Sequence, residues 1–90
     1  MSQAIVNPEE LRRFAQNLKR FNLGLAEQMS ALASQLDALN TSWRDQENRR
    51  FQEEFQSNLM MINRFLESNE EYIPFLLRKA ERIEEYLQQR

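Results

Sequence analysis

Five leucines, Leu11, Leu18, Leu25, Leu32 and Leu39, recur at seven-residue intervals. Seven residues return a side chain to the same side of an α-helix after two turns, whereas a strand changes side at every residue. The repeat therefore commits roughly thirty residues to one long amphipathic helix. A neighbouring column accompanies it. Phe14 and Phe21 follow their leucines by three residues, and Met29, Leu36 and Trp43 follow theirs by four. The apolar stripe thus changes side near Leu25, as a coiled coil does at a stutter. Gly24 lies inside the pattern and costs about 1 kcal/mol against alanine. It is read as tolerated or as a point of close contact.

The start of this helix is marked by Asn7-Pro8-Glu9-Glu10. Asn7 suits the N-cap, Pro8 the first helical position, and the two glutamates the positive end of the helix dipole. Met1 to Val6 is a short lead-in, from which Val6 is placed to pack on Leu11 as a hydrophobic staple. The end is marked by Asn40-Thr41-Ser42, which compete for backbone hydrogen bonds. Asp45 then suits the N-cap of a second helix, with Glu47 in its first turn.

The second helical pattern has three apolar columns. Phe55, Ile62, Leu76 and Ile83 form one, interrupted by Asn69. Leu59, Leu66, Ile73, Ala80 and Leu87 form the next. Phe51, Phe65, Tyr72 and Tyr86 form the third, with Asn58 and Lys79 as gaps. Pro74 removes a backbone donor, but the columns keep phase across it, so the pattern predicts a kinked, continuous helix. A break near Ser68 to Glu71, which have capping-box spacing, is the alternative.

The expected fold is all-α: an antiparallel hairpin with helices over about 8–40 and 46–88, a turn over about 41–45 and a kink near Pro74. One partner helix cannot cover three columns. Ninety residues without cysteine offer no disulfide to compensate for a thin core. Two hairpins pairing into a four-helix bundle would bury the surplus, and a homodimer is the commonest such assembly. The expected hairpin or dimer core comprises Leu11, Phe14, Leu18, Phe21, Leu25, Leu32, Leu36, Leu39, Phe51, Phe55, Leu59, Ile62 and Leu66.

Chemistry is sparse. With neither histidine nor cysteine, no usual zinc site or di-iron Glu-x-x-His site can be assembled, and no nucleophile–base constellation is found. No catalytic residue, metal or cofactor is expected, and the chain is read as a non-enzyme. A formal net charge of −2 argues against nucleic acid. A regulator contacting it through Arg12, Arg13, Lys19 and Arg20 is the distant reading. No apolar run is long enough to span a bilayer, and the first residues lack the build of a secretory signal peptide.

Trp43-Arg44-Asp45 is the informative motif. Structurally, Trp43 closes the end of the core and Asp45 caps the second helix. Functionally, an indole at a bend also offers a grip for another protein. The tryptophan bend between two long helices, with Phe51 and Phe55 after it, resembles the WXG100 or ESAT-6-like family of small helical-hairpin proteins. The likeness covers essentially the whole chain. Asp45 stands where the family's Trp-any-Gly motif has glycine. The resemblance implies a four-helix-bundle dimer, with itself or with a related hairpin, and association with type VII (ESX-like) secretion. The partners so implied are a larger effector or the secretion ATPase. The location implied is the cytoplasm, with export that needs no cleavable signal. In actinobacterial members a Tyr-any-any-any-acid signal follows the second helix, whereas Tyr86 is followed four residues later by Arg90. The alternative function is a structural coiled-coil scaffold with no role in secretion.

Overall fold

The computed structural model describes residues 6–89. They form two helices, α1 (Pro8–Leu39) and α2 (Gln46–Gln88), folded into an antiparallel hairpin 68 Å long and 24 by 16 Å across. Met1 to Ile5 of the lead-in, and Arg90, lie outside the described residues. Local chemistry starts each helix as its residue types require. The Asn7 side chain accepts from the Glu9 N–H at 2.7 Å, with Pro8 behind it. The Asp45 side chain accepts from the Asn48 N–H at 3.0 Å.

The two helices meet along one seam. On α2 the buried and half-buried residues run from Asn48 through Gln52, Phe55, Leu59, Ile62 and Leu66 to Asn69, Ile73, Leu76, Ala80 and Ile83. Steps of four and three alternate along the whole series, which is the spacing of a coiled-coil seam. The register passes through Pro74 without slipping, and α2 is a single helix there, not a pair broken near Ser68. Pro74 nonetheless leaves the carbonyl of Glu70 without its helical donor.

On α1 the seam runs through Leu11, Ala15, Leu18, Asn22 and Leu25 to Met29, Ala33, Leu36, Asn40 and Trp43. Two successive four-residue steps, Leu25 to Met29 to Ala33, form the stutter. Beyond it Leu32 and Leu39 fall beside the seam, each one residue before a seam position. The leucine column therefore serves the hairpin only as far as Leu25. Gly24 makes no close contact within the hairpin, since a Cβ there would meet nothing within 4 Å.

Polar ties fix which residues face each other. Asn22 is 2% exposed. Its Nδ2 donates to the Leu66 carbonyl at 3.0 Å, and its Oδ1 accepts from Asn69 Nδ2 at 3.0 Å. Near the free ends, Arg12 grips Glu84 with both guanidinium nitrogens, Nη1 donating to Oε2 at 3.0 Å and Nη2 to Oε1. This is the one ion pair among the described residues. Its hydrogen bonds, more than its charge, hold the Glu84 carboxyl below the usual carboxylate range and push the Arg12 guanidinium up. No helix of the described residues is long and apolar enough to cross a membrane.

Candidate functional site

The bend is built almost entirely from backbone capping. Helix α1 runs out at Leu39, and its last carbonyls need donors. The amide of Asn40 donates to Leu36 O at 2.9 Å, and that of Trp43 to Leu39 O at 2.9 Å. The hydroxyls of Thr41 and Ser42 add bonds to Ala38 O and Leu39 O at 2.7 and 3.3 Å. Their weakness as helix formers and their use here share one cause, a short side chain that reaches its own backbone. Arg44 Nε closes the turn onto Thr41 O at 3.2 Å, leaving the residue exposed.

Across the bend, Asn48 is 3% exposed and donates through Nδ2 to Asn40 Oδ1 at 2.8 Å. Gln52 Nε2 donates in turn to Asn48 Oδ1 at 3.3 Å. Trp43 is half-buried beside this network. Its ring lies 6.0 Å from Phe51, which stacks 5.8 Å from Phe55. Such aromatic pairs contribute about 0.5–1.5 kcal/mol each beyond their burial. The indole therefore closes the seam with one side and shows the other to water.

Asp45 has φ −84° and ψ −174°, extended backbone that any residue adopts. The third motif position thus does not need glycine here. Aspartate adds a carboxylate that holds the first turn of α2.

A broad apolar face adjoins the bend. Phe14, Phe21, Leu32 and Leu39 each precede a seam residue of α1. Phe51, Phe65 and Tyr72 each precede one of α2. All seven are between 45% and 57% exposed. Phe21 and Phe65 meet edge to face at 6.3 Å, so the two flanks lie on one side of the hairpin. Tyr72 carries the face on to Phe75 at 6.1 Å. Of the residues expected in a core, the hairpin seam takes Leu11, Leu18, Leu25, Leu36, Phe55, Leu59, Ile62 and Leu66. Phe14, Phe21, Leu32, Leu39 and Phe51 are left on this face. A one-residue offset from the seam separates the groups. Two adjacent apolar columns leave open in the sequence which of them faces the sister helix.

The α2 edge of this face carries opposite charges at its two ends, whereas Glu10, four residues before Phe14, adds an acid on the α1 side near the free ends. Glu47 and Glu54 border the face near the bend, and Lys79 and Arg82 near the free ends, all on the α2 side by helical spacing. No group of three acidic side chains is placed to hold a metal ion among the described residues.

The asparagine ties leave little trace in the sequence. The only signal was Asn69 interrupting an apolar column; Asn22, Asn40 and Asn48 occupy seam positions in the same way. The Arg12–Glu84 pair is separated by 72 positions and left no local trace.

Neither the curated proteins nor the solved structures provide a match. The family model WXG100, described as proteins of 100 residues with WXG, matches residues 3–72. That match takes in α1, the tryptophan bend and most of α2, well over half of the chain, which therefore belongs to the WXG100 family.

Proposed function

We propose that this protein acts without catalysis, as a two-fold dimer in type VII (ESX-like) secretion, where it partners a larger effector. Family membership supports a small secreted-type protein of the ESAT-6 kind. The observation that carries the dimer is the apolar face through Phe14, Phe21, Leu32, Leu39, Phe51, Phe65 and Tyr72. This many exposed apolar side chains on one side, interrupted at Gln28 and Asn58, are rare on a monomer and common at an interface. The charge order favours one arrangement. With the bend of one copy beside the free ends of the other, Glu47 and Glu54 approach Lys79 and Arg82 on the α2 edge of the partner copy. The opposite arrangement would set like charges together, which is costly.

The role of partner, rather than independent cargo, is favoured by Arg90 in the place of the acid that would follow Tyr86. Trp43 would then be the grip at each end of the dimer, with Arg44 exposed beside it. Sedimentation equilibrium tests the assembly. The wild type should sediment as a dimer, and Phe21→Asp with Phe65→Asp as a largely unfolded monomer. A well-folded wild-type monomer at micromolar concentration would refute the dimer. Trp43→Ala should keep the dimer but lose export or effector co-purification in a host carrying a type VII system. Unchanged export would remove the bend from the recognition role.

A further inference from the structure

The opposite side of the hairpin carries a second, different surface. A shallow groove of about 250 Å³ lies between the helices, lined by Ala26, Met29, Ser30 and Ala33 of α1 and Leu59, Asn63 and Leu66 of α2. The small residues of α1 open it. Apolar side chains continue it: Leu23 lies three residues from Ala26 and Met60 three from Asn63, and they are 59% and 57% exposed. The charge around it is one-sided. Residues 21–40 contain no lysine or arginine, and residues 53–70 contain only Arg64. Glu27, Asp37, Glu67 and Glu70 stand within one or two turns of the groove residues and on their side of each helix. All four are exposed, and none is within 4.0 Å of a cation among the described residues.

We infer that this groove docks an amphipathic helix of a partner protein, one whose apolar stripe is flanked by lysine and arginine. The groove accepts the stripe, and the four free carboxylates supply charges that the hairpin itself leaves unanswered. A second copy of this chain is a poor occupant, since its own groove is equally acidic and like charges would face each other. The inference rests on the dimer reading in one respect: the phenylalanine face is engaged by the second copy, leaving this face free.

The test uses the full chain and a labelled synthetic helix of about 18 residues, long enough for five turns. It carries a leucine and methionine stripe with lysine on both flanks. A control peptide has glutamate in place of lysine. Fluorescence anisotropy should show the basic peptide binding at least about tenfold more tightly, with the preference shrinking as salt is raised. Glu67→Lys with Glu70→Lys should weaken it about tenfold. Glu81→Lys with Glu85→Lys, exposed near the free ends and away from the groove, should not. Equal binding of the two peptides, or indifference to the Glu67 and Glu70 changes, overturns the proposal. So does a peptide that splits the dimer in light scattering, because it then occupies the phenylalanine face. A chain that is monomeric throughout, yet binds the peptide through Glu67 and Glu70, would retain the groove and refute the dimer alone.

Discussion

Asn22 is the most consequential single polar side chain in the hairpin. It is almost fully buried, and it joins both the backbone and a side chain of the opposite helix. Asn22→Ala removes two hydrogen bonds, each with a net worth of about 0.5–1.5 kcal/mol, and leaves a small void. The expected loss is about 2–3 kcal/mol. Asn69→Ala removes one bond but strands the buried Asn22 acceptor, for about 1–2 kcal/mol. Because the two share a bond, the double variant should lose less than the sum, with a coupling of about 1 kcal/mol. Replacing both by leucine exchanges a satisfied polar pair for apolar contact and should be neutral or stabilising. It should also relax the register that the pair defines, as with a polar residue in a coiled-coil seam. Urea unfolding followed by circular dichroism, at matched protein concentrations, measures all four. Single-variant losses that add within about 0.3 kcal/mol would refute the shared bond. A double leucine variant that unfolds far more easily than wild type would refute the polar exchange.

Asp45→Ala should cost about 1 kcal/mol by removing the cap on α2, whereas Asp45→Gly, which restores the family's residue, should cost only a few tenths, since glycine is accepted at an N-cap; thermal unfolding separates the two. Gly24→Ala should stabilise by about 0.5–1 kcal/mol, because the helix gains a better former where a Cβ meets no obstacle; a loss would reveal a close contact made only in the dimer. The lowered Glu84 pKa gives the Arg12–Glu84 tie a definite pH sign. Its contribution is present above the ordinary carboxylate range and is lost as pH falls through the lowered value. Protection from amide exchange near residues 80–88, relative to the intrinsic rate at each pH, should therefore fall on acidification, and Arg12→Gln should flatten that dependence.

Much of the hairpin is written locally. Asn7-Pro8 and Asp45 announce their helices because capping involves neighbours in sequence, and the asparagine, threonine and serine of the bend act on carbonyls three or four residues back. The division of the apolar residues between seam and outer face is not local. Phe14 and Leu11 both look like core residues, and only the packing of α2 places Leu11 inside and Phe14 beside it. The same is true of Leu32 and Leu39, which keep the period of Leu25 but lose its environment once the stutter rotates α1. Polar residues in the seam are hidden for a further reason. Asn22 and Asn48 read as exposed by type, and become interior only because a partner amide or carbonyl lies at the right level on the other side of the hairpin. Trp43 was legible as a bend residue, because a large ring in a polar break has few other uses.

Pro74 has a consequence for how the hairpin comes apart. The Asn22–Asn69 tie lies just over one turn from it toward the bend, and only the Arg12–Glu84 tie lies beyond it toward the free ends. Fraying that enters from the free ends should run through residues 74–88 as a block, since the helical bond that would link the block to Glu70 is missing. It should then halt at the asparagine tie. Amide exchange would show this as a step, with one opening energy beyond Pro74 and a larger one from Asn69 to the bend. The molecule would behave as a clasp whose jaws part while its hinge stays shut, able to present a loosened end to one partner without giving up the tryptophan bend to solvent.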